Sequence, residues 1–145
     1  MGKKRVIKKS GDTVEEEGVS KESKSAKSSQ RVVRGIAHIQ ATYNNTLITI
    51  SDDKGNALAW STAGALGFSG AKKATPFAAA RVAEAVVEKC RKTGLQEISV
   101  LVSGVGSGRD SAIRSLANQG LTILSIKDTT PVAHNGPRAK KVRRV

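Results

Sequence analysis

The last nine residues of the chain carry cations at a density suited to binding a polyanion. Residues 137–145 contain five basic side chains and no acid: Arg138, Lys140, Lys141, Arg143 and Arg144. Such a segment cannot enter a hydrophobic core, because each charge would leave water without a partner. It can lie along a nucleic acid and release the counterions condensed on the phosphates. The alternative is a solvated end that only aids solubility, and the rest of the chain must decide between the two.

A glycine-rich loop offers a second kind of phosphate chemistry, through Gly104, Gly106, Gly108 and Arg109. Glycines let a backbone approach an anion closely, the free amides of a helix N-terminus attract negative charge, and an arginine fork matches phosphate oxygens. The spacing fits neither the P-loop nor the dinucleotide fingerprint, so a nucleotide-dependent enzyme is poorly supported. The structural alternative is a tight turn in which Ser107 caps the helix and Asp110 completes a capping box.

Two further polar pairs are candidates for RNA contacts. Lys72 and Lys73 stand in a glycine loop just before a predicted helix N-terminus, which favours a phosphate-binding role over a solvated pair. Asn44 and Asn45 occupy a predicted hairpin tip, where their amides are suited to sugar or phosphate. Asparagine also tolerates turn backbone, so that pair has a purely structural alternative.

Other chemistries find little support. The single cysteine, Cys90, excludes an internal disulfide framework, and with only two distant histidines we expect no metal site and no cofactor. Asp52 and Asp53 are neighbours on an extended chain and therefore do not converge on a metal. His38 lacks a nucleophile in a recognisable setting, so we expect it to be packed or in contact with RNA. Because the chain has few aromatic residues, we expect it to recognise RNA by its phosphates and its shape more than by its bases.

Charge and composition indicate the class of partner. The net charge of +13 divides into +3 for residues 1–30 (eight cations, five acids), +6 for residues 31–127 (twelve and six) and +4 for residues 128–145 (five and one). A wholly cationic chain points to nucleic acid more than to a small substrate. No apolar run approaches the ~20 residues that a bilayer requires, so we expect a cytoplasmic protein without membrane contact. The three ranges are predicted to be a low-complexity extension, an RNA-binding domain and a basic tail, with both ends disordered.

The hydrophobic pattern predicts the elements that position these residues. Strand alternation begins at Ile36, and returning strands are predicted over residues 46–51 and 57–62 as a meander. We expect Trp60 to anchor this sheet. Thr75 and Pro76 open a helix whose apolar stripe is Ala79, Val82, Ala83, Val86 and Cys90, and Gly94 ends it.

The second half of the domain predicts a parallel crossover. Residues 98–102 are almost entirely apolar and β-branched, as in a strand covered on both faces. A helix over about residues 109–118 follows the glycine loop, and a last strand covers residues 121–126. The predicted fold is α/β, a five-stranded mixed sheet with helices on both faces.

Several motifs in order resemble one family: residues 43–46, 55–64 and 75–79, then Gly106, Gly108 to Ser111, Thr130-Pro131, residues 134–136 and the closing residues 143–145. Over about residues 31–145 the chain is similar to ribosomal protein eleven of the small subunit, in its bacterial or organellar form. The loop of residues 103–109 departs from the usual Lys-Gly-Pro-Gly-Pro-Gly-Arg. It lacks that loop's lysine and two rigid prolines.

The resemblance implies a ribonuclease-H-like fold without enzymatic activity. It implies a structural role on the small-subunit platform, bridging several ribosomal RNA helices beside the cleft where messenger RNA pairs with ribosomal RNA. The implied protein neighbours are small-subunit proteins seven and eighteen. The implied RNA contacts are Asn44, Asn45, Lys72, Lys73, the glycine loop through Arg109, and the tail from His134 and Asn135 to Arg144.

Two functions of other classes stand as alternatives. The first is a phosphate- or nucleotide-binding enzyme that uses the glycine loop, and the second is a cationic regulatory adaptor that binds proteins. Tight nucleotide binding without RNA would favour the enzyme. Failure to sediment with small ribosomal subunits would favour the adaptor.

Overall fold

The computed structural model describes residues 31–142. The strands are β1 (Arg34–Ala41), β2 (Thr46–Ser51), β3 (Ala57–Thr62), β4 (Glu97–Ser103) and β5 (Thr122–Asp128), and the helices are α1 (Pro76–Cys90) and α2 (Arg109–Asn118). Short 3-10 turns cover Gly64–Leu66, Gly70–Ala74 and Arg91–Thr93. The predicted extension over residues 1–30, and Arg143 and Arg144 of the tail, lie outside the described residues.

The five strands form one mixed sheet in the order β3-β2-β1-β4-β5. Strand β2 is antiparallel to both of its neighbours, whereas β1, β4 and β5 are parallel to one another. Four strands therefore run in one direction and only β2 runs against them. The predicted α/β class, with a hairpin meander followed by a parallel portion, is confirmed.

Both helices lie on the same face of this sheet, so the prediction that helices cover both faces is wrong. Helix α1 packs against β2, β3 and α2, while α2 packs against α1 and β1. The two crossovers, from β3 to β4 and from β4 to β5, travel along the sheet in the same direction. Right-handed crossovers that travel in one direction place their helices on one face. The opposite face of the sheet is open to solvent within the described residues.

The strand residues show the same asymmetry. In β4 the side chains of Ile98, Val100 and Val102 are fully buried under the helices, whereas Ser99 and Leu101 on the other face are only half-buried. The prediction that β4 is covered on both faces is therefore wrong. Trp60 does not anchor the sheet from within, because it lies on edge strand β3 and is 58% exposed.

Helix α1 forms as its sequence predicts. The Thr75 hydroxyl accepts a hydrogen bond from the Ala78 amide at 3.3 Å, and Pro76 occupies the first helical position, where its missing amide donor costs nothing. The whole predicted apolar stripe is buried, including Cys90, and burial raises the pKa of that thiol to about 11. The 3-10 turn that continues the helix ends at Gly94, whose φ of 78° is one that glycine tolerates.

Candidate nucleic-acid interface

The candidate RNA-binding segments meet at one end of the sheet. Because β1, β3, β4 and β5 share a direction, their carboxyl ends lie at the same edge, which we call the carboxyl edge. The segments that leave these strands are the hairpin tip (residues 42–45), the lysine turn (residues 70–74), the glycine loop (residues 104–108) and the tail (from residue 129). Sheet topology thus assembles residues that are up to about a hundred positions apart in the chain.

The hairpin tip is held by a residue that sequence reasoning missed. The Thr42 hydroxyl accepts hydrogen bonds from the amides of Asn44 (3.4 Å) and Asn45 (3.0 Å) and donates to the Asn45 carbonyl (3.0 Å). The side chain of Asn44 is exposed, whereas Asn45 is half-buried and its Oδ1 has no hydrogen-bond partner among the described residues. The tip therefore presents the side-chain amide of Asn44 to solvent on a hydrogen-bonded turn.

The glycine loop packs against the hairpin. The Gly106 amide donates to the Ala41 carbonyl at 2.9 Å. A Cβ atom placed on Gly104 would lie 2.1 Å from the Ala41 oxygen, and one on Gly106 would lie 2.4 Å from the Thr42 oxygen. These glycines are required because protein backbone occupies the space that a side chain would need. Close packing against the hairpin is thus a structural reason for these glycines, and a phosphate-binding role of the loop stays a prediction.

Ser107 does not cap α2, which was the structural alternative for the glycine loop. The helix N-cap is Gly108, which makes no side-chain capping bond, and the Ser107 hydroxyl instead donates to the Ala74 carbonyl at 2.7 Å. This bond joins the glycine loop to the lysine turn across 33 residues of sequence. The close packing of Gly108 against Thr46 and Ala79 places the loop beside the turn, where the Ser107 hydroxyl reaches the Ala74 carbonyl.

The lysine turn presents its cations at the N-terminus of α1. Lys72 is exposed and Lys73 is half-buried, and within residues 31–142 neither forms an ion pair. The Thr75 hydroxyl donates to the Lys72 carbonyl at 2.8 Å, which ties the turn to the helix that follows. Two lysines on a turn that is tied to a helix N-terminus form a site of positive potential.

Arg109 is engaged within the protein. Its Nη1 donates to the Gly104 carbonyl at 3.0 Å, and its Nη2 donates to the Asp128 carboxylate at 2.5 Å. That carboxylate also accepts from the amide (2.8 Å) and hydroxyl (2.6 Å) of Thr130, and the same hydroxyl accepts from the Gly104 amide at 3.1 Å. We call the group Gly104, Arg109, Asp128 and Thr130 the tail clamp. It fixes the point at which the tail leaves β5.

Neither Asp128 nor Thr130 was among the predicted site residues, although an Asp-x-Thr spacing at a strand end is a recognisable turn signal. The hydrogen bonds from Thr130 and from Arg109 hold the pKa of Asp128 well below its usual range. The charge is therefore present at every physiological pH. The prediction that Arg109 contacts RNA stays a prediction.

The tail clamp predicts a pH-dependent contribution to stability. Asp128→Asn is expected to lower the free energy of unfolding at neutral pH, because the folded state favours the carboxylate. The contribution of a carboxyl with a lowered pKa is complete above its unfolded pKa of ~4 and is lost as the pH falls towards the folded value. Urea unfolding measures the free energy of unfolding at about pH 7 and pH 3. The difference in this free energy between variant and wild type should be smaller at pH 3.

Asp53→Asn, at an exposed turn, is the matched control and should behave as wild type at both pH values. Equal stability of Asp128→Asn and wild type at neutral pH would show that the clamp contributes nothing to the fold.

Beyond the clamp the described part of the tail is exposed. Residues 131–142 are all exposed and form no helix or strand. The cations Arg138, Lys140 and Lys141 are in this stretch, as are His134 and Asn135, the latter with a φ of 55°. The tail is thus anchored at one end and free to follow a partner's surface.

The other polar residues noted in the sequence have structural settings. Asp52 accepts hydrogen bonds from the amides of Lys54 and Asn56 and from the Asn56 side chain, which is the predicted turn role. His38 is exposed on the open face of the sheet, with Nε2 at 3.2 Å from the Ser51 hydroxyl. Among residues 31–142 no cluster of three potential metal ligands is present, and no helix there is long and apolar enough to cross a membrane.

The fold and the interface define a class of protein. An α/β scaffold gathers exposed cations, amide groups and an anchored basic tail at one sheet edge. This arrangement is that of a scaffold for binding a phosphate polymer.

Comparison with known proteins identifies the family. The model of the family described as "Ribosomal protein S11" matches residues 35–144. The chain is 54% identical to small ribosomal subunit protein uS11 of Treponema pallidum (strain Nichols) over 122 residues, which is 84% of this chain and 97% of that protein. It is 53% identical to the uS11 of Solibacter usitatus (strain Ellin6076) over 120 residues, 82% and 89% of the two chains. The chain belongs to the ribosomal protein S11 family, as its motifs indicated, and is a structural protein of the small ribosomal subunit.

Proposed function

We propose that this protein binds ribosomal RNA on the platform of the small subunit, chiefly through the carboxyl edge. The observation that carries the proposal is the convergence of the lysine turn and the anchored basic tail at that edge. Phosphate contacts fix register and orientation without reading sequence, which suits a structural protein. The family membership supplies the identity of the polymer.

The proposal extends to the RNA helices and proteins that surround this protein in the small subunit. The protein bridges several RNA helices beside the cleft where messenger RNA pairs with ribosomal RNA, and small-subunit proteins seven and eighteen are its neighbours. It acts in the cytoplasm as part of the ribosome and catalyses no reaction. Family membership supports this arrangement.

The residues of the carboxyl edge take different roles. Lys72, Lys73 and the tail cations bind phosphates, and Asn44 with the segment at His134 and Asn135 binds sugar or phosphate oxygens. Arg109 acts as a positioning residue, since its guanidinium already has two partners in the tail clamp. The backbone of the glycine loop sets the spacing between the hairpin tip and the tail.

The proposal predicts a steep dependence of RNA affinity on salt. If about eight phosphates are neutralised, the logarithm of the affinity for small-subunit ribosomal RNA should fall with the logarithm of salt concentration at a slope of roughly −6 to −7. Filter binding across a salt series measures the slope. Sedimentation with small subunits after a moderate salt wash checks that binding persists in the particle. A salt-independent affinity, or a protein left in the supernatant, would contradict the proposal.

A further inference from the structure

A second group of cations lies at the opposite end of the sheet. Arg31, Arg91 and Lys92, which we call the amino-edge cluster, surround a shallow depression of about 370 Å³. The remaining residues that line the depression are Val33, Gly94 and Gln96, so its lining contains no acid. All three cations are exposed, and within the described residues none lies within 4.0 Å of a carboxylate.

Tertiary structure brings these cations together from two segments about sixty residues apart. The Val32 amide donates to the Thr93 carbonyl at 3.1 Å, and the Val33 carbonyl accepts from the amides of Gln96 and Glu97 at 3.1 and 3.0 Å. These bonds hold the segment before β1 against the segment before β4. The aliphatic part of Arg31 consequently lies beside Gly94, about 4.0 Å from where a Cβ atom would stand.

The simplest structural role accounts for only part of the cluster. Arg91 and Lys92 occupy the end of the helical segment, where cations offset the negative end of the helix dipole. Arg31 belongs to another segment and has no such role. Arg34, three residues later, differs from Arg31 because its charge is compensated by Glu97 at 2.6 Å.

Acids close to the cluster in the fold are outside the lining of the depression, and one of them, Glu97, is paired with Arg34. Asp52 and Asp53 line the neighbouring depression, which shares Arg31 with the cluster. Asp52 is occupied by the hydrogen bonds of its own turn. The lining between Arg31 and the two cations of the 3-10 turn is therefore cationic and contains no acid.

We propose that the amino-edge cluster is a second phosphate-binding site, which contacts a stretch of ribosomal RNA different from that bound at the carboxyl edge. The inference rests on the proposed function and adds a site to it. The two edges are separated by the length of the seven-residue β4, about 23 Å at 3.3 Å per residue, and they face opposite ways. Two RNA segments held at the two ends of a rigid sheet are thereby kept at a fixed spacing.

Charge neutralisation tests the site. The triple variant Arg31→Gln, Arg91→Gln, Lys92→Gln is expected to flatten the salt slope for small-subunit ribosomal RNA by about 2 and to weaken binding roughly 30- to 100-fold at about 0.15 M salt. The matched control is Arg81→Gln, Lys89→Gln, Arg114→Gln, which removes the same net charge from exposed positions on α1 and α2. The control should change the slope by less than about 1. Circular dichroism melting verifies that both variants fold.

Directed cleavage tests whether the two edges touch different RNA. Cys90 is buried, so a cysteine introduced as Lys92→Cys or Lys140→Cys directs an iron chelate that generates hydroxyl radicals to one edge. Non-overlapping sets of RNA cuts from the two positions are expected. Identical cuts, no cuts from Lys92→Cys, or a triple variant no weaker than its control would overturn the second site while leaving the carboxyl edge intact. A wild-type protein that does not bind the RNA at all would overturn the proposed function itself.

Discussion

Removal of residues 137–145 is expected to weaken binding to small-subunit ribosomal RNA by several hundredfold at about 0.15 M salt and to flatten the salt slope by roughly 3 to 4. The segment carries five cations and no acid. Each cation that displaces a condensed counterion contributes about 0.7 to 0.9 to the slope, and that contribution increases as salt is lowered. The measurement is a filter-binding titration at several salt concentrations.

The structure shows why this deletion isolates binding from folding. The described part of the tail beyond Thr130 is exposed and makes no contribution to the core. The tail clamp ends at Thr130 and stays intact, so the thermal unfolding midpoint should not move. A full-length variant with the five cations changed to glutamine separates the loss of charge from the loss of length. A variant with residues 137–145 permuted keeps the charge and should bind nearly as wild type.

The outcome distinguishes the two original interpretations of the tail. Unchanged affinity and slope after deletion would show a solvated end that only aids solubility. Loss of affinity in the permuted variant as well would show that base or shape recognition, and not counterion release, dominates the tail's contribution.

Gly106→Ala is expected to lower the free energy of unfolding by about 3 kcal/mol, in the range of a severe core substitution. The added methyl group would lie 2.4 Å from the Thr42 carbonyl oxygen and 2.9 Å from the Ala41 carbonyl carbon, both parts of rigid backbone. The loop must move, and the hydrogen bond from the Gly106 amide to the Ala41 carbonyl is then lost. Urea denaturation followed by circular dichroism measures the change.

Gly64→Ala is the matched control. The φ of Gly64 is one that alanine adopts, and the added methyl group would have its nearest neighbours at 3.8 Å, an ordinary contact distance. Its stability should equal that of the wild type or exceed it by about 0.4 to 1 kcal/mol, because alanine restricts the unfolded chain. Equal stability of Gly106→Ala and Gly64→Ala would disprove the close packing of the glycine loop against the hairpin.

Local sequence was enough to predict the elements. Strands β2 and β3 and helix α2 have the predicted bounds, and α1 begins at the predicted Thr75 cap. Alternation, turn residues and capping residues act over a few positions and leave a direct trace in the sequence. The predicted turn role of Asp52 and the burial of Cys90 are confirmed for the same reason.

Side-chain partners across the fold were harder to predict. Capping of α2 by Ser107 was the structural alternative for the glycine loop, but the Ser107 hydroxyl donates to the Ala74 carbonyl. The partners of Arg109 include a carboxylate nineteen residues later. A polar side chain has several acceptable acceptors, and the choice among them depends on which backbone is brought within about 3 Å. The face on which the helices pack was predicted wrongly for a similar, non-local reason. The direction of each crossover along the sheet decides that face.

The sequence by itself determined the class of partner and the family, because net charge and ordered motifs are properties of composition and chain order. Only the tertiary structure decided how the cations are grouped. Parallel strands bring the lysine turn, the glycine loop and the tail to one edge, and the bonds of Val32 and Val33 gather Arg31, Arg91 and Lys92 at the other. The physical reason is that phosphate binding depends on distances between charges in space, and the sheet sets those distances independently of separation along the chain.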